Sequence, residues 1–369
     1  MPSSLNSWNW QLPGWPDFVW QEEELRPLEV EFLRRSGVHV GSFSHLNKEE
    51  QDQLRTELLS DEAMLTSRIE GEILDRDSLQ SSIRRLFGLE SDQRKARPAE
   101  TGISELMLDV YRNHGGVLDE ARLSIWHRMV MRGRWDLKCV GIYRGGDDPM
   151  RIVSGPVHDP TVHFEAPPSV QVPREMTRFL DWFGTPPGTL LGLTRAGIAH
   201  VWFESIHPFE DGNGRIGRAI AELALSQALG QPSLIALSSA LERNRKRYYQ
   251  ELGAASRSLE ITPWLRFFSE MVLEAQQSSL EKIGFLIRKA RFFECHRGRF
   301  NERQEKALLR MFREGADGFK GGMSSKNYIT ITGCSPATAT RDLANLVQIG
   351  AFSRTGELKH ARYFLHLDP

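Results

Sequence analysis

His207-Pro208-Phe209-Glu210-Asp211-Gly212-Asn213-Gly214-Arg215-Ile216-Gly217-Arg218 is the stretch on which the reading of this chain turns. Upstream, Leu191, Ile198, Val201, Trp202 and Ser205 recur at helical spacing. Pro208 biases His207 away from the right-handed helical region, which predicts a helix ending there. Downstream, 219–229 is strongly helical and stops at Gly230. The stretch is thus a helix-to-helix turn whose glycines precede a new helix N-terminus.

Such a turn suits an anion. Gly212 and Gly214 let successive backbone N–H groups converge, and the dipole of the following helix points at the same spot. Arg215 and Arg218, three residues apart, can face one phosphate chain. Cations at a helix N-terminus are disfavoured by roughly 0.3–1 kcal/mol each unless an anion lies between them. Asp211 is a natural ligand for Mg2+ bridging phosphates, and His207 has the chemistry of a base near neutral pH. Residues 212–217 also satisfy the dinucleotide pattern Gly-x-Gly-x-x-Gly. That pattern requires a preceding strand, whereas a helix precedes it here. No Gly-Lys-Ser/Thr follows, so a Walker loop is excluded. The plain alternative is a glycine-rich turn with a solvated histidine and two surface arginines.

The 369 residues are 40% apolar and 26% charged, which supports ordinary cores and excludes a disordered or fibrous chain. This length predicts two or three domains. The net charge of −1 hides a partition. Residues 281–369 carry 16 Lys/Arg against 9 Asp/Glu, a net of +7, which leaves −8 for 1–280. Cys139, Cys295 and Cys334 are distant and odd in number, form no CxxC pattern, and suit a reducing compartment. MPSSLNSWNW lacks a basic region followed by an apolar core, and the apolar stretch 190–203 is interrupted by Arg195 and His200. It falls short of the ~18–20 residues of a membrane span, so a soluble, cytoplasmic protein is expected.

Four of the nine tryptophans, Trp8, Trp10, Trp15 and Trp20, crowd the first 20 residues, separated by Pro13, Gly14 and Pro16. They suit packing against the body or a subunit interface, or else an aromatic cage for a ligand. Helix then dominates. Asn47 and Glu50 form a capping box ahead of Leu54, Leu58 and Leu59. A second helix is predicted from near Ser60 to Gly71, a third over 77–87, a polar connection over 91–100, and further helices over 101–114 and 119–132. Gly141, Gly145, Gly146, Gly155 and six prolines from Pro149 to Pro173 break any helix. Within that region 150–154 (MRIVS) predicts one strand of a small hairpin. Helical patterns return over 174–183, 189–206, 215–229, 240–254 and 263–293. In the basic end, helices are predicted over 302–313 and 324–331, and a third from Pro336 to Val347 after a turn at Gly333. Strands over 351–353 and 361–367 flank Gly356. That is the order of a winged helix-turn-helix.

Residues 207–218 resemble, at every defined position, the HPFx(D/N)GNGRxxR signature of Fic-domain proteins. The resemblance runs from roughly residue 60 to 270. The Trp-rich start and winged-helix end look like a three-part bacterial subgroup. The resemblance implies a mainly α fold: an all-helical Fic core with a small β-hairpin flap, plus a C-terminal winged helix-turn-helix. It divides the chain into a Trp-rich region with an inhibitory helix (1–95), a catalytic core (96–280), a helical linker (281–298) and a winged helix (299–369). It implies a protein adenylyltransferase that moves AMP from ATP to a Tyr, Thr or Ser hydroxyl of a target protein and releases pyrophosphate.

On that resemblance His207 would deprotonate the hydroxyl and Asp211 would hold Mg2+. Gly212, Asn213, Gly214, Arg215, Ile216, Gly217 and Arg218 would form the nucleotide site, with Arg215 on the β-phosphate and Arg218 on the γ-phosphate. Tyr248 and Tyr249 would line the adenine side, unless they are simple core. Arg151, Ile152, Val153 and Ser154 would be the flap that pairs with the target peptide. Thr66-Ser67-Arg68-Ile69-Glu70-Gly71 resembles the family's (S/T)xxxE(G/N) inhibitory motif, so Glu70 would pair with Arg218 and misalign ATP. In some relatives the equivalent glutamate helps remove AMP, which leaves the direction open. Self-modification and a homodimer are compatible with this reading. The competing reading is a DNA-binding transcriptional regulator whose core senses nucleotide. It would bind DNA through 299–369, where Ser335, Thr338, Thr340, Arg341 and Asn345 lie on the third helix; a protein-docking role for the same domain is the other option. A phosphotransferase using the γ-phosphate is a third reading.

Overall fold

The computed structural model describes residues 7–90, 94–154, 161–186, 188, 190–315, 319 and 321–367. Gly155, Pro156 and Pro160, counted above among the helix breakers, lie outside the described residues, as do 91–93 of the polar connection. Among the described residues there are fourteen α-helices and two two-stranded antiparallel hairpins. In order they are α1 (Glu22–Ser44), α2 (Lys48–Ile69), α3 (Arg76–Leu86), α4 (Pro98–Arg112), α5 (Glu120–Val130), β1 (Arg151–Ser154) and β2 (Thr161–Glu165). There follow α6 (Val172–Gly184), α7 (Gly192–Ile206), α8 (Asn213–Leu229), α9 (Leu237–Arg243), α10 (Arg245–Ala255) and α11 (Thr262–Cys295). The chain ends with α12 (Glu302–Phe312), α13 (Ser325–Thr332), α14 (Pro336–Gln348), β3 (Phe352–Thr355) and β4 (Arg362–Leu365). The fold is mainly α. No helix among the described residues is long and apolar enough to cross a membrane.

The chain forms two compact units, one of residues 1–40 and 52–279, the other of 41–51 and 280–369. In the first, α7 and α8 are almost wholly buried and form the centre of the core. Ile198, Phe203, Ile216, Ile220 and Leu223 meet Leu59 and Ala63 of α2, Trp126 of α5 and Trp264 and Phe268 of α11 in one apolar cluster. Helix α4 begins at Pro98, inside the connection expected over 91–100, and two helices are divided differently from the sequence reading. The break expected near Ser60 is absent, because Ser60 Oγ donates to Thr56 O at 2.5 Å within one continuous α2 instead of capping a new helix. The helix expected over 240–254 is divided at Asn244, whose side-chain nitrogen donates to Ala240 O at 3.0 Å. Helix α1, with Pro27, Gly37 and Gly41 inside it, carries no clear periodic signal. It is held by tertiary contacts: Leu25 and Phe32 are buried in the core.

The N-terminal tryptophans pack rather than form a cage. Trp15 and Phe18 meet Trp202 of α7 edge-on at 6.3 and 6.2 Å. Trp8 meets Phe164 of β2 edge-on at 5.2 Å, and Trp10 Nε1 donates to Glu165 O at 2.7 Å. Glu29 of α1 caps α7: its carboxylate accepts from Thr194 N at 2.8 Å, Leu193 N at 3.1 Å and Thr194 Oγ1 at 3.0 Å. The donors of the α7 first turn, which no helix can satisfy internally, are thereby met from another element.

In the second unit α12, α13, α14 and the β3–β4 hairpin enclose Leu308, Met311, Phe312, Tyr328, Leu343 and Leu346. Asp342 of α14 points inward and accepts from Arg303, Asn301 and the Tyr328 hydroxyl. Of the five residues considered for DNA contact, Ser335 and Thr338 bond each other at the α14 N-cap and Asn345 accepts from Gln304. Thr340 Oγ1 donates to Pro336 O, and Arg341 is exposed.

Replacing Glu29 by Ala leaves buried N–H groups of α7 without acceptors, which costs about 1–3 kcal/mol. We expect a Tm lowered by several degrees in differential scanning calorimetry, with Glu29→Gln between the variant and the parent.

Candidate functional site

Helix α7 ends at His207, which takes the left-handed conformation (φ 50°, ψ 60°) because Pro208 bars a further helical residue. Arg144 secures this end: Nε donates to His207 O at 2.8 Å and its backbone N to Pro208 O at 2.9 Å. The loop is then closed by a reciprocal amide clasp. Phe209 N donates to Asn213 Oδ1 and Asn213 Nδ2 donates to Phe209 O, both at 2.9 Å. His127 of α5 stacks on Phe209 with centroids 4.1 Å apart, contacts Asp211 O through Nε2 at 3.1 Å, and accepts from Gly141 N at 2.7 Å through Nδ1. Gly212, with φ +83°, is the N-cap of α8. The Asn213 side chain therefore holds the loop, and only its main chain is available to an anion.

Glu70, Ser205, His207, Asp211, Gly212, Asn213, Gly214, Tyr248 and Tyr249 line one cavity of about 790 Å3, together with Ile152, Val162, His163 and Phe164 of the hairpin. That size is within the range of small-molecule sites. Ile216 and Gly217 are not brought to the cavity, because Ile216 is buried in the core and Gly217 faces Glu204 and His200. Arg215 and Arg218 are buried and are not among the residues that line it. Tyr248 is buried with its hydroxyl 2.9 Å from His200 Nε2, while Tyr249 is half-exposed and donates to Ile69 O at 3.3 Å. In the β1–β2 hairpin, Arg151 pairs with Glu165 and Ile152 with Phe164, and the register shifts between Ile152 and Val153. Ile152 and Val153 are exposed. The side chain of Ser154 lies outside the described residues.

Acidic side chains from the end of α2 reach both arginines of the loop. Arg218, 1% exposed, donates through Nη2 to Glu70 Oε1 at 2.7 Å and to Thr66 O at 2.9 Å, and through Nε to Thr66 Oγ1 at 2.7 Å. Arg215 Nη1 lies 2.7 Å from Glu72 Oε2. A Cβ on Gly214 would stand 2.2 Å from Glu70 Oε1, so the carboxylate lies directly over the glycine main chain at the α8 N-terminus. The place where an anion is expected is occupied by the protein's own carboxylate. Asp211 Oδ2 is 2.6 Å from Arg134 Nη1, and Glu210 accepts from the main chain of Lys138 and Cys139. Burial, reinforced by the Arg144 cation, pushes the His207 imidazole down to about 4, so the ring is neutral at physiological pH.

Arg144, His127, Arg134, Glu72 and Glu204 are site residues that the sequence reading missed. All but Glu204 and Glu72 are distant in sequence from the motifs. The available signals were Glu72, two residues beyond Glu70, and Glu204, three residues before His207.

Residues 117–225 match the Fic/DOC family, and residues 8–89 match a domain of unknown function, DUF4172. A protein adenylyltransferase Fic from Culex quinquefasciatus is 34% identical over 96 residues, which are 26% of this chain and 18% of that protein. The protein adenylyltransferase Fic from Nematostella vectensis is 33% identical over 95 residues, 26% of this chain and 21% of that one. The chain thus matches about a fifth of the length of these curated relatives. Among solved structures, a Fic family protein from Desulfovibrio desulfuricans G20 has a TM-score of 0.53 and 22% identity, with 92% of this chain and 96% of that chain covered. Fic-1 from C. elegans has a TM-score of 0.51 and 20% identity, covering 70% and 74%. At these identities the structures establish a shared fold.

His200 is also pushed down to about 4 by burial, with the Arg218 charge adding to the effect. The unfolded chain takes up protons on His200 and His207 near pH 6.5, which the folded chain refuses until about pH 4. Stability from these groups is therefore present above pH 6.5 and lost as pH falls below it, by up to about 1.4 kcal/mol per pH unit for each group. We expect the Tm to fall between pH 6.5 and 4.5, with a shallower slope in His200→Asn.

Proposed function

Starting from a Fic/DOC-family domain at residues 117–225, we propose that this protein transfers AMP from ATP to a hydroxyl side chain of a target protein and releases pyrophosphate. The observation that carries the reading is one cavity lined jointly by His207, Asp211 and the main chain of Gly212–Gly214 at the N-terminus of α8. A base and an anion cradle then face the same space. His207, held neutral, has a lone pair to take the proton from the target hydroxyl. The hydroxyl oxygen attacks the α-phosphorus, the bond from that phosphorus to the bridging oxygen breaks, and pyrophosphate leaves. The α8 N-terminus and the loop arginines carry the negative charge of the phosphates, and placement supplies most of the acceleration.

The donor set fits Mg2+ bound chiefly by phosphates. Among the described residues no cluster of three or more metal-ligating side chains forms, and Asp211 is a single carboxylate on the cavity wall. Mg2+ commonly takes one or two carboxylates and completes its shell with phosphate oxygens and water. Asp211 would hold it after exchanging its contact with Arg134. When bound, the ion neutralises phosphate charge.

The contacts of Glu70 and Glu72 support a resting state with the brake applied. Glu70 competes with the γ-phosphate for Arg218 and crowds Gly214; Glu72 occupies Arg215. ATP that enters beside them is misplaced, and misplacement by about 1 Å can cost 10²-fold. Removal of AMP by the same site, self-modification and a homodimer belong to this reading as further proposals. We read residues 299–369 as a winged helix, and the engaged Ser335, Thr338 and Asn345 favour a docking role over base readout.

With α-labelled ATP we expect label on protein, abolished in His207→Ala. Label transferred from γ-labelled ATP instead would replace this reading by phosphotransfer. Glu70→Gly is expected to raise transfer by roughly 10–100-fold. Glu72→Ala should raise it by a smaller factor, because its partly exposed pair is screened by solvent.

A further inference from the structure

Helix α7 carries His200 and Glu204 four residues apart on one face, and His207 follows three residues later at the helix end. The three are buried, at 0%, 8% and 8% exposed. Glu204 Oε2 lies 3.7 Å from His207 Nδ1. By geometry Glu204 Oε1, His207 Nδ1 and His200 Nδ1 have no well-placed hydrogen-bond partner, while the Glu204 and Gly217 main chains lie near the His207 and His200 rings. Unsatisfied buried polar atoms are costly, and three together in the wall of a reaction site call for an explanation. Packing keeps the carboxyl in this place. Gly217 of α8 faces it, and a Cβ there would stand 2.5 Å from Glu204 Oε1 and 3.3 Å from His200 Nδ1. His200 in turn bonds the Tyr248 hydroxyl at 2.9 Å.

The charged groups around this row are Arg144, Glu70 and Asp211 near His207, Glu70 and Arg218 near Glu204, and Arg218 near His200. Burial, and then Glu70, push the Glu204 carboxyl up to about 8 against the pull of Arg218. It is therefore uncharged at neutral pH and can hold an imidazole without forming a buried ion pair.

We propose that Glu204 is a positioning residue for His207: its carbonyl oxygen accepts the Nδ1–H and fixes the tautomer whose Nε2 lone pair faces the cavity. The inference rests on the reading of His207 as the base. A neutral imidazole has one N–H and one lone pair, so the acceptor at Nδ1 decides which nitrogen can take the substrate proton. A contact of 3.7 Å becomes a hydrogen bond with a movement of under about 1 Å, and such contacts commonly tighten when the site is filled. The motif from His207 to Arg218 does not contain this residue.

The test compares Glu204→Met, which keeps length and burial but has no oxygen, with Glu204→Gln, which keeps the accepting oxygen. Ring-nitrogen NMR of His207 in the full chain reads the tautomer without any need for turnover. We expect the Nδ1–H form in the parent and in Glu204→Gln, and a shift toward Nε2–H in Glu204→Met. In a Glu70→Gly background we expect Glu204→Met to lower kcat for AMP transfer by about 10–100-fold with KM for ATP within about 2-fold. Glu204→Gln should recover most of that loss. An unchanged tautomer and kcat in a folded Glu204→Met would overturn the proposal and assign the proton to the Glu204 main-chain carbonyl. Equal losses in Gln and Met would also overturn it. Absence of AMP transfer in every chain, with the tautomer shift intact, would sink the proposed reaction and leave the positioning role standing.

Discussion

The buried guanidinium of Arg218 is the constraint around which the candidate site is organised. A charge 1% exposed needs a counter-charge and acceptors, and the end of α2 and the residue after it supply three of them through Thr66 and Glu70. This requirement fixes where α2 docks against α8. It also fixes what lies over Gly214, because the carboxylate that satisfies Arg218 lies on the α8 N-terminus. On the proposed function, the ion pair that satisfies Arg218 is also what obstructs the anion site. An anion bound on Arg218 would relieve the same requirement, which is why the obstruction is reversible in principle.

Other contacts extend this economy to the rest of the first unit. Glu29 caps α7, Asn9 donates to Ser205 at 2.8 Å and to Ala255 at 3.2 Å, and Trp8 and Trp10 anchor the hairpin strand β2. The N-terminal region thus braces the helix that ends in His207 and the strand that lines the cavity. The loop between α7 and α8 is held by the Asn213 amide clasp, by His127 stacked on Phe209, by the Arg144 guanidinium on main-chain carbonyls, and by the contacts of Glu210 and Asp211 with Lys138, Cys139 and Arg134.

Much of this was legible in the sequence. The end of α7 follows from Pro208, and the start of α8 from Gly212 and Gly214, because both are consequences of backbone sterics within a few residues. The capping box of Asn47 and Glu50 is likewise present, with both hydrogen bonds at 2.9 and 3.0 Å. The false break at Ser60 shows the limit of local reading, since a serine at a helix start and one bonded back inside a helix look alike in sequence. Helix α1 shows another, as Pro27 and two glycines weaken its periodic signal and tertiary contacts hold it, through buried Leu25 and Phe32 and through Glu29 on α7.

What the sequence determined by itself was the chemistry within short reach: a histidine, a carboxylate, glycines and two arginines placed on a turn between two helices. What only the tertiary structure decided was the partner of each charge. Arg218 and Glu70 are 148 residues apart, Arg215 and Glu72 143, and Arg144 and His207 63. Glu204, close to His207 in the chain, takes its significance from α8, whose Gly217 leaves the space that the carboxyl fills. Backbone geometry is set by neighbours in the chain, whereas the protonation and pairing of a side chain are set by burial and by whichever groups folding brings within a few ångströms.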